Sequence, residues 1–98
     1  MTINKERNES TLTLALVGRL DTVTAPELEA ALKDSLEGVA ALVLDLKDLE
    51  YVSSAGLRVL LAAQKMMREQ GTMKLTNVNE TVMEVFELTG FSQILTIE

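Results

Sequence analysis

The run Val-Ala-Ala-Leu-Val-Leu-Asp-Leu at residues 39–46 is apolar at nearly every position, so a strand formed there has two apolar faces. Such a strand is stable when covered on both sides, as in the centre of a parallel sheet. Parallel neighbours cannot be joined by tight hairpins and need crossovers of a dozen or more residues, usually helical. The run therefore predicts a helix before it and a helix after it, and the sequence supplies both. Upstream, Thr24-Ala-Pro-Glu27 reads as a capping box with Pro26 in the first turn. Leu28, Ala31, Leu32 and Leu36 follow at helical spacing and Gly38 supplies the stop, giving a helix over about 25–37. Downstream, Ser53-Ser54-Ala-Gly-Leu opens a second helix near Ser54. Its Leu57, Leu60 and Leu61 are spaced for burial, its Arg58, Lys65, Arg68 and Glu69 face outward, and Gly71 ends it.

The flanking segments complete the pattern. Leu12, Leu14 and Leu16 alternate with Thr11, Thr13, Ala15 and Val17, which predicts a strand with one buried face. Residues 2–6 read as a short edge strand whose charges discourage pairing with other chains, and residues 6–10 as the turn between the two. Residues 72–78 form a further parallel strand, Asn79 caps a third helix, and Gly90 with Phe91 reads as a left-handed C-cap. Residues 93–97 close the chain as a short strand or a tail docked on a helix. The predicted fold is α/β: a small mixed sheet of four to five strands, with helices mainly on one face, in the order β-β-α-β-α-β-α-β. At 98 residues the chain is one domain, 1–98, large enough to bury roughly 60–70 % of its unfolded surface without a staple.

Charge and composition exclude several functions. The net charge of −6 opposes direct binding to nucleic acid or to an anionic membrane. Tyr51, Phe86 and Phe91 are the only aromatics, too few for a stacking platform. The longest apolar run is far short of a membrane span, no secretory leader is legible, and cysteine is absent, all of which predicts a cytoplasmic protein. Without His or Cys there is no group to activate a nucleophile, and without a Gly-rich phosphate cradle there is no nucleotide site; no enzyme activity and no cofactor are expected. Asp45 and Asp48 are too few oxygen ligands for a hard cation, so no metal site is expected either. Met66, Met67, Met73 and Met83 suit either an adaptable surface or core filling.

In open α/β sheets the functional crevice lies beyond the carboxyl ends of the parallel strands. The connections holding Asp21 and Thr22, Asp48, Glu50, Ser53 and Ser54, and Asn79 are therefore predicted to share one surface. Asp21 suits a strand-end turn, and from that edge it could also bond the serine turn. Ser53 and Ser54 suit helix capping, worth about 1 kcal/mol, the more frequent role for such residues, and capping is compatible with modification. A phosphate there would meet the positive end of a helix. It would also add about −1.5 to −2 charges beside Asp45, Asp48 and Glu50, enough to weaken a fitted partner on the order of a hundredfold.

The segments Gly-Arg-Leu-Asp-Thr-Val-Thr-Ala-Pro-Glu-Leu (18–28), Leu-Val-Leu-Asp-Leu-Lys-Asp-Leu-Glu-Tyr-Val-Ser-Ser-Ala-Gly-Leu-Arg-Val-Leu-Leu (42–61) and Glu-Leu-Thr-Gly-Phe-Ser-Gln-Ile-Leu (87–95) resemble the STAS domain of bacterial anti-sigma factor antagonists. The resemblance spans essentially the whole chain. It implies a non-enzymatic module that, when unphosphorylated, binds an anti-sigma serine kinase with a GHKL-type ATP site and so frees a sigma factor. Phosphorylation would end that binding, and a PP2C-type phosphatase would reset it. In the family's best-known pattern the modified hydroxyl directly precedes Gly-Leu; here Ala55 stands there, and the common Ser-Ser-Ala-Gly-Leu variant implies Ser54 as acceptor, with Ser53 second. Together with the sheet edge named above, the resemblance gives an expected partner surface of Asp21, Thr22, Asp48, Glu50, Ser53, Ser54, Gly56, Leu57 and Arg58. STAS-like domains also serve as subunits of lipid-transport ABC complexes, where the same helix would dock without phosphorylation.

Overall fold

The computed structural model describes residues 1–98. Five strands and three helices run in the order β1 (Thr2–Asn8), β2 (Thr11–Leu20), α1 (Ala25–Ser35), β3 (Ala41–Asp45), β4 (Leu49–Val52), α2 (Ser54–Arg68), β5 (Thr72–Thr76) and α3 (Glu80–Thr89), followed by a 3₁₀ turn at Phe91–Gln93. The sheet order is β1-β2-β3-β5, with β1 antiparallel to β2 and the other pairs parallel. β2 is long enough to serve two partners: β3 pairs with Thr11–Ala15, and β4 with Gly18–Leu20.

Alternation along the strands builds the core. Leu12 faces Leu42 and Met73 across the sheet, Leu14 faces Leu44 and Leu75, and all six are buried. Helices cover this face through Leu28 and Leu32 of α1 and Leu57, Leu60, Ala63 and Met67 of α2, while Val82 and Phe86 of α3 complete the cluster. Burial of each such side chain stabilises by about 1.5–3 kcal/mol, so this one cluster holds the sheet and helices together. Met67 and Met73 belong to it and half-buried Met66 packs against it, which identifies these three as packing residues.

Four expectations are corrected. The run at 39–46 is not covered on both faces: Leu42 and Leu44 are buried, but Ala41, Val43 and Asp45 on the other side are only half-buried. Small and β-branched side chains there fit a partly solvated sheet face. The segment read as an acidic connection contains β4, whose buried Leu49 and Val52 stand three apart because a bulge shifts the register between Gly18 and Arg19. One extra residue in a strand breaks the two-residue alternation that sequence patterns rely on. The closing strand is a single bridge, Leu75 to Ile97, with the tail held by Leu75 N–H to Thr96 and Glu98 N–H to Leu75. Finally, β1 continues to Asn8, which shortens the hairpin turn to Glu9 and Ser10.

Asn79 links helix to sheet. Its carboxamide oxygen accepts from Val82 N–H at 2.9 Å, capping α3, and its Nδ2 donates to the Leu49 carbonyl at 2.7 Å, fixing that helix to the start of β4. Asn79→Ala removes a cap and leaves the Leu49 carbonyl without this donor, so we expect a loss of about 1–2 kcal/mol in the urea unfolding free energy.

Candidate functional site

The carboxyl end of β2 makes the first wall of the site. Asp21 Oδ1 accepts from the N–H groups of Val23 at 3.0 Å and Thr24 at 3.1 Å, and Ala25 N–H donates to the Asp21 carbonyl at 2.8 Å. Asp21 thus caps the turn that leads into α1. The predicted capping box does not form: Thr24 makes no side-chain cap bond, and its hydroxyl turns back to donate to the Arg19 carbonyl at 2.7 Å and accept from Asp21 N–H at 2.8 Å. An acceptor three residues earlier satisfies the same class of orphan donor. The Thr24 backbone N–H first, then the Val23 N–H, the Thr24 hydroxyl and the Arg19 charge, hold the Asp21 carboxyl below its ordinary value against the opposing effect of desolvation. Asp21 makes no bond to the serine turn.

The second wall is the carboxyl end of β4. Leu20 pairs with Val52, and Ser53 N–H donates to the Leu20 carbonyl at 2.9 Å, which sets the serine turn directly beside the Asp21 turn. Ser53 is extended, with φ −94° and ψ 176°, and is the N-cap of α2; its Oγ accepts from Gly56 N–H at 3.4 Å. Ser54 is the first helical residue, is exposed, and its hydroxyl has no protein partner. The two adjacent hydroxyls are therefore inequivalent: one holds the helix end, the other is free for chemistry done to it.

The proposed partner surface divides. Asp21, Thr22, Ser53, Ser54 and Arg58 gather at one end of the sheet, with Thr22, Ser54 and Arg58 exposed. Gly56 and Leu57 are buried and present no surface to a partner. A Cβ on Gly56 would stand 2.7 Å from Leu20 Cγ, so this glycine is required by the close passage of α2 over the end of β2. Asp48 and Glu50 line a separate groove with Lys47, Asn79 and Glu80. At about 3.3 Å per strand residue, Glu50 of β4 stands roughly 10 Å from Ser53, close to the ~8 Å screening length at physiological salt. Asp45 accepts from Lys47 N–H and Asn77 Nδ2, both at 3.1 Å, and is committed to the turn after β3. Of the carboxylates expected around the serines, Asp45 is thus bonded elsewhere, and Asp48 and Glu50 line the neighbouring groove.

Arg19, Val23 and Tyr51 were not legible as site residues. The Arg19 guanidinium lies 4.4 Å from the centre of the Tyr51 ring and its Nε 3.7 Å from Asp21 Oδ2. This contact joins residues that face each other only because β2 and β4 pair. Val23 is 80 % exposed at the tip of the Asp21 turn, an apolar side chain available for burial by a partner. Tyrosine and arginine are among the residues enriched at the energetic centres of protein interfaces.

The family model described as STAS domain matches residues 2–98. An anti-sigma-B factor antagonist of Bacillus subtilis is 33 % identical over 96 residues, covering 97 % of this chain and 88 % of that protein. An anti-sigma-B factor antagonist of Listeria monocytogenes is 33 % identical over 97 residues, covering 96 % and 84 %. Among solved structures, an anti-sigma factor antagonist from Mycobacterium paratuberculosis superposes with a TM-score of 0.88 at 26 % identity, over 98 % of this chain and 83 % of that one.

Two outcomes follow for stability. Ser53→Ala should cost about 1 kcal/mol and Ser54→Ala less than about 0.5 kcal/mol by chemical denaturation, because only Ser53 caps α2. The stabilisation from Asp21, whose folded pKa is lowered, is complete above its unfolded value near ~4 and is lost as pH falls through the folded value. Asp21→Asn should flatten that part of the acid limb when thermal stability is measured against pH.

Proposed function

The chain belongs to the STAS domain family of anti-sigma factor antagonists, and on that premise we propose that it binds an anti-sigma serine kinase of the GHKL type while unphosphorylated. Binding releases the sigma factor held by that kinase. Phosphorylation of Ser54 ends the interaction, and a PP2C-type phosphatase restores it. The protein works in the cytoplasm as a binding module, with the catalysis done by its partners.

The observation that carries this reading is the inequivalence of the two serines. Ser54 is exposed, without a hydrogen-bond partner, and fixed at the first position of a helix, whereas the Ser53 hydroxyl is occupied as the cap. In the transfer the γ-phosphoryl group of ATP moves to Ser54 Oγ, ADP leaves, and the hydroxyl proton passes to the kinase. The product phosphate stands at the positive end of α2, where negative charge is favourable, so the domain stays folded and only its partner surface changes. That surface includes the exposed Val23 and the Arg19–Tyr51 pair beside the serine turn.

Incubation with the anti-sigma kinase of the same organism and ATP, followed by mass spectrometry, should place one phosphate on Ser54. Absence of phosphate from both serines would overturn the switch. Ser54→Asp should retain the wild-type circular dichroism spectrum and bind the kinase on the order of a hundredfold more weakly; wild-type affinity in that variant would reduce Ser54 to a structural residue.

A further inference from the structure

Helix α2 carries an exposed stripe that begins at the phosphate acceptor. Ser54, Arg58, Leu61, Lys65 and Arg68 are spaced by four, three, four and three residues, which at 3.6 residues per turn lines them along one side of the helix for about 21 Å. Arg58, Lys65 and Arg68 are exposed and Leu61 is half-buried. Between Ser54 and Arg68 there is no acidic residue, although the whole chain has a net charge of −6. None of the three cations belongs to an ion pair; of the other six, Arg19, Lys33 and Lys74 are paired with a carboxylate and Lys5, Arg7 and Lys47 are not. An unpaired basic line on an acidic protein, continuous with its modification site, has the charge to meet a partner of the opposite sign.

We propose, resting on the antagonist function above, that this α2 stripe docks an acidic face of the partner protein, and that phosphate on Ser54 draws Arg58 away from it. A protein partner fits better than an anionic membrane. The apolar side of α2, with Val59, Leu60, Ala63 and Met67, is already buried in the core, so the helix has no apolar face to insert into lipid. The acidic remainder of the molecule opposes a charged bilayer as well. A carboxylate row repeating every three or four residues on a partner helix would match the spacing of the stripe. The phosphate acts within the helix: an anion at Ser54 and a cation four residues later are neighbours in the favourable orientation. Their charge-assisted bond consumes the cation nearest the site.

The test is a binding titration against the anti-sigma kinase at low and high salt, comparing wild type with Lys65→Glu/Arg68→Glu. These positions lie about 16 Å or more along the helix from Ser54, beyond direct contact with the acceptor hydroxyl. The double reversal should weaken binding tenfold or more at low salt, with the difference shrinking at high salt. If the variant loses its fold by circular dichroism, Lys65→Gln/Arg68→Gln takes its place. Equal affinity of variant and wild type overturns the docking surface and leaves the antagonist function standing; failure of wild type to bind the kinase overturns both. Binding to phosphatidylserine vesicles that the reversal abolishes would assign the stripe to membrane and overturn the proposal. For the phosphate arm, phosphorus NMR of protein phosphorylated at Ser54 should show a higher second phosphate pKa in Arg58→Ala than in wild type, and an unchanged value would exclude the Arg58 pairing.

Discussion

Ser53 N–H donates to the Leu20 carbonyl at 2.9 Å, and the functional end of the molecule depends on the strand pairing that this bond completes. β4 is four residues long and would not persist alone. It is held because β2 extends past β3 and offers Gly18–Leu20 as a second template, with buried Leu49 and Val52 anchoring it from below. Once β4 is in place, its last residue hands the chain to α2 beside the turn that Asp21 organises. The cap, the free hydroxyl and the Asp21 turn then occupy fixed relative positions before any partner arrives, which reduces the entropy lost on association.

Gly56 shows how tightly that arrangement is packed. Only a residue without a Cβ passes Leu20 at this distance, so the helix start is pressed onto the end of β2. The consequence is a division of labour within four residues: Ser53 and Gly56 serve the fold, and Ser54 serves the surface. A phosphate on Ser54, as proposed, would change charge at a closely packed helix start, so its effect would fall on whatever lies against the surface.

The charges around Ser54 would give the proposed switch a different sign structure from a simple build-up of negative charge. Asp48 and Glu50 face another groove, Asp45 is bonded into its own turn, and Asp21 is matched by Arg19. The unmatched charges nearest Ser54 along the helix are positive. In the proposed switch, phosphate there would remove attraction for an acidic partner as well as add repulsion, and both effects would act in the same direction.

Much of this protein is written in local sequence. The alternation of Leu12, Leu14 and Leu16, the helical spacing of Leu28, Leu32 and Leu36, the Asn79 cap and the left-handed Gly90 all reappear in the structure, because each is a decision between neighbours a few residues apart. The serines were legible as a strand-to-helix turn for the same reason. The tertiary structure alone decided three things. It made residues 49–52 a strand, since a bulge had hidden their periodicity and only the free end of β2 stabilises them. It replaced the Thr24 capping box by Asp21, because the Thr24 hydroxyl found the Arg19 carbonyl on the strand beside it. It brought Arg19 against Tyr51 and the Asp21 turn against the serine turn, as contacts between different strands are set by pairing and register, which no local pattern encodes.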